Sequence, residues 1–598
     1  ATGVGWIYQY ALVDKTGQTD LAELRSLQDW FLKLELSGVE GVSEVASVGG
    51  FEREYQVLID PNQLESFNVS IDQLARAIRA ASSEVGGRVL EQGETEYVIR
   101  SSGYVKTALD LEQVVVLAQD GTPVILSDVA RIVEGPALRR GIVELNGEGE
   151  TVAGIIVMRD GENALEVIDR VKDKLIELQR GLPDGVEIVT VYDRAPLIEG
   201  AVSYLKKKLI EEGLVVALVI FLFLLHFRAA FVAVITLPLG VLGAFIIMSG
   251  QGVTANIMSL GGIAIAIGAM VDASIVMVEN GVRKLSDLGE KPDEATRKRV
   301  LIQAAQEVGP GLFFSLLIIV VSFLPVFALT GESYRLFSPL AFTKTYAMAF
   351  GALLSVTLIP VLMIWLLRGK MRPETANPLN RFFVWIYKPI IWAALKFKWA
   401  TVLIALIITA SVIIPAQKLG TEFMPALYEG ELLYMPTTLP GVSSTKMREI
   451  LGQTNRVIKT VPEVESVFGK AGRADTATDP APLTMIESWI KLKPKSEWRA
   501  GMTADGIVDD LNSRLQMPGL VNSWGYPIKI RMDMVSTGIR TPIGIKVTGD
   551  NLTQIEAIAR EIEGVVTDIP GTRSAFADRV LGGKYLEITP NRLELARR

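Results

Sequence analysis

An aspartate stands inside a long apolar stretch, residues 256–280, which reads N-I-M-S-L-G-G-I-A-I-A-I-G-A-M-V-D-A-S-I-V-M-V-E-N. The stretch is long enough to cross a bilayer, which takes about 20 apolar residues. A carboxylate at that depth costs about 3 kcal/mol, so it is retained where it faces a protein interior or a water path and moves protons or ions. Asp272 is therefore predicted to be a proton relay in a transporter. A role in helix packing alone is the alternative.

Five methionines lie in apolar stretches of this kind: Met258, Met270, Met277, Met348 and Met363. Met270 and Met277 are seven residues apart and so share nearly one stripe of a helix. Thioether sulfur suits soft cations such as Cu(I) and Ag(I), and a ladder of such ligands would pass these ions along. Methionine also fills gaps between packed helices, and the pattern alone favours this simpler interpretation.

Three further methionines, Met435, Met485 and Met534, lie about fifty residues apart in a polar part of the chain. Three converging thioethers would make a trigonal site for a soft metal ion. The sequence does not show that they converge, and isolated positions in separate cores are the simpler expectation. Equally visible candidates in the same region are Met424, Met447, Met502, Met517 and Met532.

The composition excludes most other chemistry. The chain has 598 residues but no cysteine and a single histidine, His226, so thiolate and histidine-cluster metal sites are excluded. It contains no phosphate-binding loop, no dinucleotide fingerprint and no Ser/His or Cys/His pair. We expect no enzyme, no tightly bound cofactor and no nucleic-acid partner.

Apolar runs predict six membrane spans within residues 196–417. The uncharged runs are 213–227 for the first span, 229–271 for two crossings, and 308–331, 345–367 and 399–417 for the last three. The chain is 49% hydrophobic with a mean hydropathy of +0.33, too apolar for an ordinary soluble protein. Lys and Arg are concentrated in the loop after residue 280 and in residues 368–398, which predicts that these segments are cytoplasmic. The large polar blocks then lie outside the cytoplasm. Aromatic and basic residues near 378–397 are typical of a helix lying on the membrane surface.

The polar blocks alternate strand-like and helical patterns, which predicts α+β subdomains. Residues 37–65 align by eye with residues 567–594, and each copy is predicted to be a βαβ-like unit with a helix before a strand. This repeat indicates an internal duplication. The first residues include no initiator Met, and the last ones stop within a helical pattern, so we expect the chain to be a fragment.

Four motifs resemble the resistance-nodulation-division (RND) superfamily of proton-driven exporters, and specifically its heavy-metal efflux branch. They read G-G-I-A-I-A-I-G-A-M-V-D-A-S-I-V-M-V-E-N (261–280), P-L-A-F-T-K-T-Y-A-M (339–348), L-L-Y-M-P-T-T-L-P-G (432–441) and M-V-S-T-G-I-R-T-P-I-G-I-K-V (534–547). The resemblance covers essentially the whole chain and is closest to exporters of Cu(I) and Ag(I).

The resemblance implies the RND fold, a membrane α-helical bundle with α+β porter and docking domains of ferredoxin-like βαβ subdomains. The implied domains are a porter subdomain (1–48 and 140–195), a docking subdomain (49–139), the transmembrane region (196–417), a second porter subdomain (422–533) and the truncated start of another (534–598).

The resemblance also changes the interpretation of the methionines. It implies that Met435, Met485 and Met534 bind the transported Cu(I) or Ag(I), and that Met258, Met270, Met277, Met348 and Met363 relay the ion through the membrane. Met270 would pair with Met348, and Met277 with Met363. Asp272 would be the proton relay, with partners in a missing second half.

The implied function is cation/proton antiport by a homotrimer in a Gram-negative inner membrane, with a periplasmic adaptor, an outer-membrane channel and the lipid bilayer as partners. Divalent-metal pumps of this branch carry a second aspartate six residues before the first, in an Asp-Phe-Gly triplet. Here the triplet is Ala266-Ile267-Gly268, which favours monovalent ions. The alternatives are an exporter of divalent metals or of drugs, and a transport-inactive assembly or receptor protein.

Overall fold

The computed structural model describes residues 5–119, 121–224, 226–288, 292–368, 377–420, 428–541, 543–572, 574–579 and 581–597. The chain forms two compact units. One contains residues 1–194 and 426–598, and the other contains residues 195–425.

The first block of the chain, up to residue 194, alternates strands and helices. Their bounds are β1 (Trp6–Asp14), α1 (Leu21–Leu27), α2 (Lys33–Ser37), β2 (Val42–Gly49), β3 (Arg53–Ile59), α3 (Pro61–Ser66), α4 (Ile71–Ala81), β4 (Ser83–Gln92), β5 (Thr95–Gly103), α5 (Ala108–Glu112), β6 (Val115–Gln119), β7 (Thr122–Ile125), α6 (Leu126–Val129), β8 (Ala130–Pro136), β9 (Gly141–Leu145), β10 (Glu150–Met158), α7 (Ala164–Gln179) and β11 (Val186–Asp193).

The middle block is helical. Its bounds are α8 (Ala195–Leu224), α9 (Phe227–Val234), α10 (Thr236–Gln251), α11 (Ile257–Asp287), α12 (Glu294–Ser322), a 3₁₀ turn (Leu324–Ala328), α13 (Gly331–Leu366), α14 (Pro378–Lys396), α15 (Lys398–Ser411) and α16 (Ile413–Lys418).

The last block returns to strands and helices. Its bounds are β12 (Glu431–Tyr434), β13 (Thr437–Thr438), α17 (Ser444–Lys459), β14 (Val464–Gly472), β15 (Ile486–Leu492), α18 (Ala504–Arg514), β16 (Leu520–Val521), β17 (Trp524–Gly525), α19 (Pro527–Thr537), α20 (Leu552–Thr567) and α21 (Arg592–Arg597).

One antiparallel sheet runs through both outer blocks, in the order β11-β1-β10-β9-β14-β15-β12-β17, with β2 also paired to β10. The strands β11-β1-β10-β2 have the order of a ferredoxin-like unit, with β3 to β8 inserted between its second and third strands. The strands β17-β12-β15-β14 repeat that order. β9 pairs with β10 on one side and with β14 on the other, so it joins the two ferredoxin-like sets of strands into one sheet.

The aligned repeat does not have the same structure in both copies. In the first copy β2 pairs with β10 over its full length. In the second copy the helix α20 precedes the repeat as predicted, but the described residues between 574 and 591 form no strand. Tyr585 and Leu586 are 96% and 91% exposed. A strand needs a hydrogen-bonded neighbour to be stable, and none is present among the described residues here.

Among the described residues of the middle block, five helical segments are long and apolar enough to cross a membrane: Phe227–Gln251, Met258–Asp287, Glu294–Ala328, Leu336–Leu366 and Lys398–Lys418. The predicted first span falls on α8, where basic and acidic residues at 206–212 interrupt the apolar pattern. A crossing there stays a prediction. The predicted surface helix coincides with α14, whose Phe383 ring stacks on Phe223 of α8 at 5.8 Å.

Candidate functional site

Met435, Met485 and Met534 come together at one apolar cluster in the unit formed by the outer blocks. We call them the outer methionines. Met435 follows β12 and is 1% exposed, Met485 precedes β15 and is 7% exposed, and both belong to the buried cluster. Met534 lies on α19, half-buried, and packs against the same cluster. All three residues thus contribute to one apolar cluster.

Strand register explains how two of these residues meet. β12 and β15 pair antiparallel, with Tyr434 opposite Ser488. Beyond the end of β12, an isolated bridge joins Thr437 to Met485. β17 pairs with β12 on its other edge, and α19 begins two residues after β17, which brings Met534 to this sheet edge.

Backbone hydrogen bonds hold each outer methionine in place. The Met435 amide donates to the Ser523 carbonyl at 2.9 Å, and the Arg540 guanidinium donates to the Met435 carbonyl at 3.2 Å. The Met485 carbonyl accepts from the Gly472 amide at 3.1 Å. Gly538, with a φ of 77°, ends α19 in a left-handed conformation and donates its amide to the Met534 carbonyl.

The other methionine candidates of this region lie elsewhere. Met447 is buried in a separate cluster under α17. Met502 and Met517 pack against the core around α18. Met532 is partly exposed on α19 and is not assigned to the buried cluster. Met424 lies outside the described residues.

A buried ion network lies against the outer methionines, and the sequence analysis missed it. Lys470 Nζ is 2.6 Å from Asp479 Oδ2 and 3.0 Å from Glu487 Oε2. Arg531 reaches the same Glu487 oxygen at 3.2 Å, and its guanidinium lies 4.2 Å from the centre of the Trp6 ring. The one available signal was the alternation of Met485, Glu487 and Trp489, which places an acid on an otherwise apolar strand face.

The charges around Glu487 keep it ionised. Burial opposes ionisation most strongly, but the charges of Arg531, Lys470 and Arg540 together outweigh burial and hold the pKa of Glu487 below its usual value. The carboxylate is fully buried, so its charge acts in a medium of low dielectric constant.

Four of the membrane methionines lie two by two in buried clusters, and we refer to each two as a pair. Met270 of α11 and Met348 of α13 belong to one cluster, in which they are 2% and 0% exposed. Met277 of α11 and Met363 of α13 belong to another and are fully buried. Met258, in the first turn of α11, is half-buried and belongs to neither cluster.

Glycines create the space for these side chains. A Cβ on Gly240 of α10 would lie 2.8 Å from Met270 Sδ, and a Cβ on Gly351 of α13 would lie 2.5 Å from Met270 Cγ. A Cβ on Gly281 would lie 2.1 Å from Met363 Cε. Helices that carry glycine at the contact can approach closely, so the sulfur of Met270 is enclosed by three helices.

Asp272 lies on the opposite side of α11 from the buried methionines. It is exposed, in a stripe with Ile265 and Val276, whereas its neighbours Val271 and Ala273 are buried. Among the described residues it has no ion pair. Lys344 of α13 is buried, and its Nζ lies 3.1 Å from the centre of the Phe323 ring.

The whole chain, residues 1–598, matches the family model described as AcrB/AcrD/AcrF family. It is 53% identical over 603 residues to "Cation efflux system protein CusA" of Escherichia coli (strain K12), covering 100% of this chain and 58% of that protein. It is 51% identical to "Putative cation efflux system protein SilA" of Salmonella typhimurium, with the same coverage. The chain thus spans a little over half the length of these relatives.

The solved structures include a close match in fold. The crystal structure of a heavy metal efflux pump, in its crystal form II, superimposes with a TM-score of 0.85 and 29% identity, covering 99% of this chain and 57% of that one. This likeness confirms the predicted fold class, a helical bundle with α+β domains.

Proposed function

We propose that this chain, which belongs to the AcrB/AcrD/AcrF family, works in a proton-driven exporter of monovalent soft metal ions, Cu(I) or Ag(I). The observation that carries the proposal is the convergence of Met435, Met485 and Met534 on one cluster. The names of the relatives support it, since CusA is called a cation efflux system protein and SilA a putative one.

The chemistry of the outer methionines fits a soft cargo. Thioether sulfur is a soft, neutral donor that prefers Cu(I) and disfavours hard ions such as Mg²⁺ and Ca²⁺. Met534 is the mobile member in this proposal, because it is half-buried on a helix, whereas Met435 and Met485 are fixed at the ends of paired strands. A shift of α19 would then open or complete the trigonal site.

The methionine pairs in the helical unit supply a second route. The ion would pass from the Met277 and Met363 pair to the Met270 and Met348 pair, and then to Met258. Burial of both pairs supports a route through them, because soft thioether ligands could replace the water that a monovalent cation loses in an apolar medium.

Proton uptake and release at Asp272 would drive the cycle. A carboxylate midway along a membrane-spanning helix is a functional group by default. Asp272 faces away from the methionine pairs, so protons and metal ions would use opposite sides of α11.

The exporter is proposed to be a homotrimer in a Gram-negative inner membrane. Its large domains would lie in the periplasm, docked to an adaptor protein and an outer-membrane channel. Family membership supports this arrangement.

The test is direct detection of the ion at the outer methionines. Crystals soaked in Ag(I) should give anomalous density among Met435, Met485 and Met534, and Met485→Ile should remove it. The proposal fails if silver binds only elsewhere, or if Zn(II) occupies the site in preference to Ag(I).

A further inference from the structure

Met485, just before β15, alternates along the chain with Glu487 and Trp489 of that strand. Along a strand, alternate residues point to the same face. Met485 and Trp489 belong to the apolar cluster of the outer methionines, whereas Ile486 and Ile490 belong to two other cores. Glu487 therefore points to the face that Met485 and Trp489 share.

The register also places Glu487 beside Met435. Tyr434 pairs with Ser488, and three positions further along the chain Thr437 pairs with Met485. Both pairs have the same register, which sets Met435 opposite Glu487. Side chains directly opposite each other in an antiparallel pair have Cβ atoms about 5 Å apart.

Met534 is connected to the same carboxylate through its own helix. Arg531 precedes Met534 by three residues on α19, which is the spacing of neighbours on one helix face. Its guanidinium lies 3.2 Å from Glu487 Oε2. Glu487 thus lies two residues from Met485, opposite Met435, and in an ion pair with Arg531, which is one helical turn from Met534.

One oxygen of this carboxylate has no partner. Oε2 accepts from both Lys470 and Arg531, but Oε1 is buried without a hydrogen bond to any residue in the described part of the chain. A buried unpaired polar atom costs about 1–3 kcal/mol. Such an atom calls for a ligand or another specific reason.

We propose that Glu487 is a cargo-binding residue, whose Oε1 contacts the monovalent cation held by the outer methionines. This inference rests on the proposed function. Three thioethers carry no charge, so they cannot offset the cost of burying a cation. The network of Lys470, Arg531, Asp479 and Glu487 is neutral by itself, and the nearby Arg540 adds a positive charge. A monovalent ion adds one positive charge beside it and a divalent ion adds two, so the site favours the lower charge.

The first test is Ag(I) titration of the purified protein. Glu487→Gln keeps the size of the side chain but removes its charge, and it should weaken binding by about tenfold or more. The matched control is Glu463→Gln, which removes another fully buried carboxylate, paired with Arg499 at 2.6 Å, outside the apolar cluster. It should leave Ag(I) affinity unchanged.

A second readout detects the contact itself. X-ray absorption at the copper edge should show one oxygen neighbour beside three sulfurs in the Cu(I)-loaded protein, and the oxygen should weaken or vanish in Glu487→Gln. Glu487→Asp retains the charge on a shorter side chain and replaces Glu487→Gln if that variant does not fold. It should also lose the oxygen neighbour.

The outcomes separate the two proposals. If Met485→Ile loses Ag(I) but Glu487→Gln and Glu463→Gln bind as the wild type does, the role of Glu487 is overturned and the proposed function stands. A copper shell of sulfur alone in the wild type also overturns it. If Met485→Ile binds Ag(I) normally, the proposed function itself fails.

Discussion

Two glycines around Met270 lead to a graded prediction. Gly351→Ala would place a Cβ 2.5 Å from Met270 Cγ and 3.3 Å from its Cβ, near the rigid base of the side chain. Gly240→Ala would meet the Sδ at 2.8 Å and the Cε at 3.4 Å, the flexible end. The first substitution therefore requires the helices to separate, whereas the second requires only that the sulfur move.

The expected energies follow from these contacts. Overpacking costs about 1–3 kcal/mol, and alanine in place of a helical glycine returns up to about 1 kcal/mol. Gly351→Ala should lower the free energy of unfolding by up to about 2 kcal/mol, and Gly240→Ala should leave it nearly unchanged. The control is Gly268→Ala on α11, where a Cβ meets no atom of the described residues within 4 Å, so this variant should be as stable as the wild type or more so.

Two assays separate packing from transport. Apparent Tm in detergent should rank the variants as Gly351→Ala below Gly240→Ala, with Gly268→Ala highest. Ag(I) uptake into proteoliposomes should fall in Gly240→Ala because the sulfur of Met270 is displaced. Equal stability of Gly351→Ala and Gly268→Ala would refute the packing argument. Full transport in Gly240→Ala would refute the role of Met270 in the relay.

Three other predictions concern the proton relay, the outer methionines and one acidic strand end. Asp272→Asn should abolish proton-coupled Ag(I) transport in proteoliposomes while Ag(I) binding in titration stays intact, and residual coupled transport would count against the relay. Met485→Ile should weaken Ag(I) binding at nearly unchanged Tm, whereas Met447→Ile, in a separate core, should leave binding unaltered. Burial, with a smaller contribution from the charge of Glu429, raises the pKa of Glu431 to about 8. The ionised form of Glu431 is therefore disfavoured in the folded state. Its contribution to the free energy of unfolding is fully present below the unfolded pKa of 4.5 and is lost as the pH rises from there through 8. Glu431→Gln should raise the apparent Tm at pH 9 and leave it unchanged at pH 5, and equal effects at both pH values would contradict this assignment.

Apolar runs locate membrane helices better than they locate helix ends. The fifth predicted span begins at residue 345, but α13 begins at Gly331. The helical turns before residue 345 include Lys344, the charged residue directly before the uncharged run. In the structure its ammonium group lies on the Phe323 ring, so the charge is accommodated without leaving the helix. A pattern of charges cannot reveal such a contact.

The outer site could be predicted only through resemblance. Met435 follows β12, Met485 precedes β15 and Met534 lies on α19. β12 and β15 are neighbours because β15 inserts beside β12 in the sheet. Nothing local in the sequence encodes that strand order. Glu487 was harder still, because its importance depends on an unpaired oxygen that is visible only once Lys470 and Arg531 have taken the other one.

The strand β9 restricts how the outer site can open. Five residues of β14, from Phe468 to Gly472, pair with β9, and β9 in turn pairs with β10. Each broken backbone hydrogen bond costs about 1 kcal/mol, so a seam of this length resists shear. The two ferredoxin-like sets of strands should therefore move together as one rigid body. Any hinge that admits or releases an ion must then lie outside these paired strands, and Gly538, in a left-handed conformation at the end of α19, is one candidate.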